Sequence, residues 1–397
     1  MSISYNKKDL LILLVKGTHR CNMNCTYCYD RIAREKVKEE MTLEMVRELA
    51  EKSLYAAHKI SWIWHGGEIL CMGLEWFKAA NEIVKEVLGD CLTRIGFQSN
   101  GILVNKEYIE YFKTEPLLNF GISFDGIDHD ELRGKNGELI KQHILDAKEA
   151  GLKFSVISVL SQATASHWKE NIELFKSLGE YNVSFNWIHP HEIVEENNVY
   201  SSLDQYIQDV KDMIDYLLYD QDGFSERVLE ALITNIFGRR DCVCTYSGCL
   251  GRYLSVSPNG NFYPCDRWYP ERYNLGNLKD FDSITDAFLS DGYTRLIQDR
   301  SDRRTYCMEN CELFEHCAGG CNANAILTGD GVANVVDPAW CRVYKEAFWH
   351  TFNRIKDLTD EDFEKLNPSV RRVLYRMNYV SLSSIKECLR QQKQEER

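Results

Sequence analysis

The first half of the chain alternates short apolar runs with longer amphipathic segments. Apolar runs of five to seven residues predict buried strands, and six of them lie at 10–15, 60–64, 94–98, 119–124, 154–160 and 183–187. Helical periodicity occupies segments between them, at 41–56, 75–88, 106–112 and 167–178. Strands that alternate with helices predict βαβ units and a parallel sheet. Six such units predict an α/β fold, a partial (β/α)6 barrel of the TIM type.

Polar residues end or follow the predicted strands. In a barrel the carboxyl ends of the strands meet at one rim, and we expect these side chains to line it. Asn, Asp and Ser are also common turn formers, so a local structural role is the alternative. The residues are Gln98, Asn100, Ser123, Asp125, Ser158 and Asn186.

Three cysteines follow the first predicted strand directly. Cys21, Cys25 and Cys28 are spaced CxxxCxxC, so that all three thiols can face one point. Thiolates are ligands for iron–sulfur clusters and zinc, which usually take four ligands. Three thiolates leave one metal position open, which is typical of a reactive site. A zinc knuckle with a distant fourth ligand and a buried, redox-inert trio are the alternatives.

This cysteine loop, with an aromatic residue before its last cysteine, resembles that of the radical S-adenosylmethionine (radical SAM) enzymes. The resemblance implies a 4Fe–4S cluster on the three thiolates, with its open iron chelated by SAM. Gly66, Gly67 and Glu68 resemble the segment that holds the methionine amino group, although Ile69 replaces the proline that often follows. Ser123 matches the serine of the Ser-x-Asp-Gly segment, which implies a ribose contact. The cofactor-binding residues expected are Tyr27, Tyr29, Gly66, Gly67, Glu68 and Ser123.

The composition limits the class of protein. A chain of 397 residues can form a sizeable core and two domains. The formal net charge of −13 argues against a nucleic-acid partner, which favours a basic face. No apolar run approaches the length of a membrane span, and none reads as a signal peptide. We therefore expect a cytoplasmic protein with no membrane partner, in which fifteen cysteines indicate metal binding and not disulfides.

Nine of these cysteines lie within a hundred residues of the second half. Cys249 and Cys265 flank Gly260 in the pattern Cx10Gx4C, and a later group reads Cx3Cx5Cx3C. A zinc ribbon requires two close CxxC pairs, which this block lacks. The nine are Cys242, Cys244, Cys249, Cys265, Cys307, Cys311, Cys317, Cys321 and Cys341.

The block resembles the SPASM domain, the twin-cluster extension of radical SAM peptide-modifying enzymes. The resemblance implies two auxiliary 4Fe–4S clusters and thus three clusters in all. The second auxiliary cluster is expected on Cys307, Cys311, Cys317 and Cys341. The first is expected on Cys249, Cys265 and Cys321 with an upstream thiol, for which spacing favours Cys244 over Cys242.

Four parts follow from these assignments. A radical SAM partial barrel is expected over 1–215 and a helical bridge over 216–240. The SPASM auxiliary-cluster domain is expected over 241–345. Residues 346–397 are predicted to form a helical C-terminal tail that packs on the surface.

Three functions are compatible with these motifs. The first is a peptide maturase, which abstracts a hydrogen from a ribosomally made peptide and installs an oxidative cross-link or similar modification. The second is an anaerobic sulfatase-maturing enzyme, which oxidises a Cys or Ser side chain to formylglycine. The third is a non-enzymatic iron–sulfur electron-transfer protein. The third is disfavoured, because an electron carrier has no need of SAM.

Asp266 bears on the choice between the two enzymatic interpretations. It follows Cys265 as in the sulfatase maturases, where the corresponding aspartate is proposed to take the substrate proton, so Asp266 is the catalytic candidate. Capping of a local turn is the alternative role. Against the sulfatase interpretation, Asp30 stands where those maturases have a tyrosine, and His65 stands where they have a glutamine. The peptide maturase is therefore the first interpretation.

The expected partners follow from this chemistry. They are a peptide or protein substrate and an electron donor such as flavodoxin or ferredoxin. Many peptide maturases carry a leader-binding domain before the barrel, whereas the first strand here begins near residue 9. A separate leader-binding adaptor is therefore a further expected partner.

Overall fold

Nine strands form one continuous sheet in the structure, a computed structural model that describes residues 8–188, 202–238, 249–267 and 270–395. The sheet order is β7-β6-β5-β4-β3-β2-β1-β8-β9, and every neighbouring pair is parallel except β8 and β9. The strands are β1 (Lys8–Thr18), β2 (Ala57–Gly66), β3 (Leu92–Ser99), β4 (Leu118–Ser123), β5 (Phe154–Leu160), β6 (Asn182–Trp187), β7 (Ser225–Glu226), β8 (Tyr253–Val256) and β9 (Phe262–Tyr263).

The six predicted strands are confirmed as β1 to β6, parallel and in sequence order, as a partial barrel requires. Several observed strands extend one to three residues beyond the predicted strands at one or both ends. Three strands were not predicted. The short strand β7 extends the sheet beyond β6, and β8 and β9, from the cysteine-rich block, extend it beyond β1.

Helices fill the connections between the strands and form most of the C-terminal third. The α-helices of the described residues are Arg31–Lys36, Leu43–Ser53, Leu74–Leu88, Lys106–Lys113, His129–Leu132, Gly137–Glu149, Gln162–Ser166, Trp168–Ser177, Leu203–Tyr219, Arg227–Ile236, Asp291–Asn310, Phe314–Cys317, Asn322–Thr328, Pro338–Lys356, Asp360–Glu364, Pro368–Arg376 and Leu382–Glu395. Short 3-10 helices lie at Ile69–Met72, Gly89–Cys91, Gly126–Asp128, Glu271–Tyr273, Leu278–Asp280 and Ile284–Leu289.

Capping explains where two predicted helices differ from the observed ones. The helix predicted at 41–56 begins at Leu43, because the Thr42 side chain accepts a hydrogen bond from the Met45 amide. The helix predicted at 167–178 is preceded by a separate short helix, Gln162–Ser166. A reciprocal capping box between Ser161 and Thr164 starts that helix.

The two faces of the sheet differ in polarity. Leu11, Leu13 and Val15 of β1 are buried in the main core together with Trp62 and Trp64 of β2. Side chains at alternate positions point to the opposite face, and the functional groups described below come from that face and from the loops.

One residue predicted to line the barrel rim has a different environment. Ser158 alternates with the partly exposed Ile157 and Val159, and it shares the buried face of Val156 and Leu160. Its hydroxyl has no hydrogen-bond partner among the described residues. Strand alternation therefore excludes Ser158 from the rim.

Helices cross two of the predicted domain boundaries. Leu203–Tyr219 continues through residue 215, and Pro338–Lys356 continues through residue 345. The tail is attached by Asn367, whose buried amide donates to the carbonyls of Leu217 and Phe224 at 2.8 and 2.9 Å. Within the described ranges, no helix is both long enough and apolar enough to cross a membrane.

Close backbone packing joins the end of β2 to the segment that leads from β1 into the cysteine loop. The Gly67 amide donates to Thr18 at 3.1 Å, and the Glu68 amide donates to Arg20 at 2.9 Å. A Cβ at Gly67 would lie 2.3 Å from the His19 carbonyl oxygen and 2.4 Å from that of Arg20. Gly67 thus has a packing role against this backbone, in addition to the cofactor approach expected from the sequence.

Gly67→Ala is expected to lower the free energy of unfolding by about 2 kcal/mol, because the new methyl group overlaps two backbone oxygens that cannot move independently. Gly96→Ala in β3 is the matched control, since its Cβ would meet no atom closer than 3.4 Å. The control should be neutral or slightly stabilising. Urea unfolding under anaerobic conditions measures both, and equal effects would contradict this explanation of Gly67.

Candidate active site

The cysteine loop lies at the carboxyl end of β1 and is fixed to the loop after β4. Both the amide and the hydroxyl of Thr26 donate to the Leu132 carbonyl, at 2.9 and 3.2 Å. Cys21, Cys25 and Cys28 are all partly exposed. Burial raises the pKa of Cys25 to about 11, with Arg133 acting in the opposite direction. A bound metal would favour the thiolate that this environment otherwise disfavours.

Donors around the sulfur atoms fit an iron–sulfur cluster. The Met23 amide lies 3.4 Å from the Cys21 sulfur, and Nδ2 of Asn100 lies 3.7 Å from the same atom. Nη2 of Arg34 lies 4.0 Å from the Cys28 sulfur. Hydrogen bonds to cluster sulfurs are one of the means by which a protein tunes such a group.

Glu68 is almost fully buried between the ends of β2 and β3. Its carboxylate accepts from the Leu70 amide at 3.1 Å, the Asn100 amide at 2.6 Å and the Ser99 hydroxyl at 3.2 Å. Burial raises the pKa of Glu68 to about 7, although these hydrogen bonds act in the opposite direction. An ionised carboxylate has about four acceptor positions, so one remains. An ammonium group there would favour the ionised form.

Tyr27 belongs to a buried cluster between the cysteine loop and β4. Its hydroxyl donates to Asp125, and the Arg133 guanidinium lies over its ring at 5.3 Å. Asp125 is fully buried, pairs with Arg133 at 2.8 Å and accepts from the Val159 amide at 2.9 Å. This cluster fixes the side of the cysteine loop that faces β4 and β5.

Ser123 is the last residue of β4 and is buried. Gln98 of β3 donates from Nε2 to the Ser123 oxygen at 2.9 Å. The hydroxyl proton of Ser123 therefore remains available as a donor.

Asp266 lies between Tyr29 and His65, at the carboxyl ends of β1 and β2. The Tyr29 hydroxyl donates to Oδ2 of Asp266 at 2.7 Å, and Nε2 of His65 is 3.5 Å from the same oxygen. Burial alone would raise the pKa of Asp266. His65, Lys16 and Tyr29 outweigh burial and hold the pKa below its ordinary value. Asp266 is therefore ionised at neutral pH, and the structure brings it next to Tyr29, a predicted cofactor-binding residue.

A second polar network lies beneath this site. Asp30 accepts from Lys16 and from Nδ1 of His19, both at 2.7 Å, and Nε2 of His19 is 3.1 Å from the Ser257 hydroxyl. All four side chains are buried. Burial opposes the ionisation of Asp30, but Lys16 and His19 hold its pKa at about 2. Ser257 follows β8, so the network joins the cysteine-rich block to β1.

Three cysteines of the second half form one group near Asp266. Burial raises the pKa of Cys249 to about 11, and Cys321 raises it further. Burial also raises the pKa of Cys265, to which Asp266, Cys321 and Cys249 add. These mutual effects indicate that the three thiols share one electrostatic environment. The Cys265 thiol donates to Asp266 at 3.3 Å, so this group borders the candidate base.

Four other cysteines form a second group. Burial raises the pKa of Cys317 to about 12, and the other three sulfurs raise it further. Burial likewise raises the pKa of Cys341 to about 11. The members are Cys307, Cys311, Cys317 and Cys341.

Arg303 links the helix that bears Cys307 of the second group to the segment that bears Cys321 of the first group. It lies on the helix that bears Cys307, is almost fully buried, and donates to the Gly319 carbonyl at 2.9 Å and to Asn322 at 2.6 Å. Gly319 and Asn322 flank the segment that bears Cys321.

Part of the predicted ligand set cannot be located. Cys242 and Cys244 lie outside the described residues, so the choice between them stays a prediction. In the parts of the chain that the structure describes, no three His, Cys, Asp or Glu side chains are arranged around a single metal ion.

The sequence interpretation did not include Lys16, His19 or Arg133. For Lys16 a signal was present, because a charged residue at the end of a buried apolar run requires a buried partner. His19 and Arg133 had no such signal, because nothing in the sequence around either residue indicates its partner.

Family comparisons agree with this arrangement. Residues 15–203 match the family model of the Radical SAM superfamily, and residues 244–318 match SPASM, an iron–sulfur cluster-binding domain. A cysteine-type anaerobic sulfatase-maturating enzyme of Clostridium novyi is 22% identical over 88% of this chain and 96% of its own. The antilisterial bacteriocin subtilosin biosynthesis protein AlbA of Bacillus subtilis is 25% identical over 77% of this chain and 65% of its own.

A solved structure has the same fold. Native anSMEcpe with bound AdoMet and Cp18Cys peptide superimposes with a TM-score of 0.77 at 23% sequence identity, covering 87% of this chain and 97% of that one. The two family matches coincide with the partial barrel and the cysteine-rich block. The chain is therefore a radical SAM enzyme with a C-terminal SPASM domain.

Proposed function

We propose that this enzyme is a peptide maturase, which abstracts a hydrogen from a ribosomally made peptide and installs an oxidative cross-link or similar modification. The observation that carries the proposal is the environment of Asp266. Asp30 and His65 replace a tyrosine and a glutamine of the sulfatase maturases. Of these two residues, Asp30 is bound to Lys16 and His19, whereas His65 lies beside Asp266. The substrate therefore meets different side chains from those in a sulfatase maturase.

Cys21, Cys25 and Cys28 are the proposed ligands of the open-site 4Fe–4S cluster. The donors aimed at their sulfurs support this assignment. When bound, SAM and the cluster supply the 5′-deoxyadenosyl radical that abstracts the substrate hydrogen. The proposed contacts to SAM are the remaining acceptor position of Glu68 for the amino group and the Ser123 hydroxyl for the ribose. The other proposed cofactor-binding residues are Tyr27, Tyr29, Gly66 and Gly67.

The remaining clusters are proposed on the two cysteine groups described above. The group at Cys249, Cys265 and Cys321 would take Cys244 as its fourth ligand. The mutual pKa effects of the thiols within each group, and the cysteine spacing, support two separate auxiliary clusters, for a total of three. Auxiliary clusters supply an acceptor for the electron that a net oxidation leaves on the substrate.

Asp266 is the proposed proton acceptor. Its Oδ2 atom is oriented by the Tyr29 hydroxyl and by His65, and its ionised form is ready to accept a proton from the substrate. Tyr29 and His65 act as positioning residues for this carboxylate. General bases must lie within hydrogen-bond reach of the proton that they take.

Formation of formylglycine is the second candidate function. It is favoured by the position of Asp266 directly after Cys265. It is also favoured by the coverage of nearly the whole C. novyi sulfatase-maturating enzyme, whereas AlbA is covered over 65% of its length.

The proposed partners are a peptide or protein substrate, a flavodoxin or ferredoxin as electron donor, and a separate leader-binding adaptor. The peptide named in the anSMEcpe structure supports the first of these. The cytoplasm is the proposed location, where reducing conditions keep cysteines available for cluster assembly.

Replacing Cys21, Cys25 and Cys28 together by Ala is expected to abolish reductive SAM cleavage and to lower the iron content by about a third, since one of three cubes is lost. Cys91→Ala is the control and should retain both properties. Chromatography of 5′-deoxyadenosine after dithionite treatment, with iron and sulfide analysis, provides the measurement. Continued release of 5′-deoxyadenosine by the triple variant would refute the assignment.

Asp266→Asn is expected to retain SAM cleavage but to lose product about a hundredfold or more, because the amide cannot accept the substrate proton. Deuterium transfer from a labelled trial peptide into 5′-deoxyadenosine reports hydrogen abstraction alone and should persist. Asp280→Asn, at an exposed position of the same domain, is the control. Unchanged product formation by the Asp266 variant would leave only a structural role for this residue.

A further inference from the structure

A cavity of about 530 Å³ opens beside the cysteine loop. Its wall is formed by residues 18–21 at the end of β1, the helix Arg31–Lys36 and residues 37–40. Cys21 is part of this wall and is partly exposed. The lining contains neither Ser123 nor Asp266, so the cavity reaches the cysteine loop from outside the candidate active site.

Cationic side chains outnumber acidic ones around this cavity. The lining carries four Lys and Arg side chains and three acids, Glu35, Glu39 and Glu40, which is an excess of one positive charge in a chain whose net charge is −13. Glu40 on the rim is paired with Arg20 at 3.1 Å. The cationic residues of the lining are Arg20, Arg31, Arg34 and Lys38.

Arg31 is placed to contact a bound partner, and Arg34 is placed beside the proposed cluster ligands. The Arg31 guanidinium has no ion-pair or hydrogen-bond partner in the part of the chain that the structure describes. Arg34 donates from Nη1 to the Met23 carbonyl at 2.9 Å, and its Nη2 lies 4.0 Å from the Cys28 sulfur. Cationic side chains therefore extend from the cavity mouth to the proposed cluster ligands.

Electron delivery is the step that needs such a surface. Weak electron-transfer encounters use small interfaces, and complementary charge sets their rate and orientation. The net negative charge of the enzyme repels an acidic protein from most of its surface. An acidic carrier is therefore favoured at this cavity, where four cationic side chains lie near the partly exposed Cys21.

We propose that Arg20, Arg31, Arg34 and Lys38, here called the electron-entry surface, dock an acidic one-electron carrier protein. The carrier loses one electron, the cluster on Cys21, Cys25 and Cys28 gains it, and no covalent bond changes at this surface. The inference rests on the proposed open-site cluster and extends it by giving the route of the electron.

The test compares two reductants on the complete, anaerobically reconstituted enzyme with SAM. One is an acidic flavodoxin reduced to its hydroquinone, and the other is reduced methyl viologen, a small cation that needs no cationic dock. The Arg31→Glu and Lys38→Glu double variant reverses charge at the surface, and the Gln double variant removes it more gently. Lys113→Glu is the control, because Lys113 ends the helix Lys106–Lys113, which leads into the amino end of β4 at the opposite end of the strands.

With flavodoxin at low ionic strength, the Glu double variant should form 5′-deoxyadenosine about tenfold more slowly, with the Gln variant between it and wild type. The difference should shrink as salt is added, and in a direct binding measurement at low ionic strength the Glu double variant should bind oxidised flavodoxin about tenfold more weakly than wild type. With methyl viologen, both double variants should match wild type within about twofold, and Lys113→Glu should match wild type with either reductant.

Equal flavodoxin rates in wild type and double variants would overturn the docking proposal, as would an equal loss in Lys113→Glu. So would a loss of the same size with methyl viologen, since the damage would then lie in SAM cleavage itself. Absence of viologen-driven cleavage in the wild-type enzyme would instead contradict the proposed function on which the inference rests.

Discussion

Parallel pairing of β8 with β1 is the constraint on which the candidate active site depends. Four residue pairs, from Ile12 with Tyr253 to Val15 with Val256, attach the cysteine-rich block to the first strand of the barrel. The bond between His19 and Ser257 continues this attachment beyond the strands. β9 pairs antiparallel with β8, and Asp266, three residues beyond β9, contacts Tyr29 and His65 at the carboxyl ends of β1 and β2. One sheet thus carries both the cysteine loop and the candidate base.

Local patterns predicted much of this fold, and long-range contacts account for what they missed. The strands β1 to β6 are apolar runs separated by amphipathic helices. Each strand can be predicted from its own short stretch of sequence. β8 has only four residues and no periodicity of its own, and its partner lies about 240 positions earlier. The candidate metal-binding residues could be proposed because cysteine spacing is local. The contact of Tyr29 with Asp266 was not, because nothing in either segment indicates the other.

Two features of the site favour different functions. Asp266 beside Cys265 is the arrangement expected of a sulfatase maturase. Asp30 instead neutralises the buried Lys16, and a residue used in this way cannot also bind substrate. His65 contacts Asp266 where the sulfatase maturases have a glutamine. The candidate proton acceptor is thus present in changed surroundings, in agreement with the proposal that the enzyme applies oxidative chemistry to a different peptide.

A substrate comparison tests this account most directly. The reconstituted enzyme, with SAM and a reductant, is given a sulfatase peptide that carries the target cysteine, and separately a short peptide encoded beside its own gene. We expect SAM cleavage without an aldehyde from the sulfatase peptide, and a cross-linked or similarly oxidised product from the second. The C. novyi relative is the positive control and should convert the sulfatase peptide. Formylglycine made by this enzyme, trapped with a hydrazine and identified by mass spectrometry, would contradict the account.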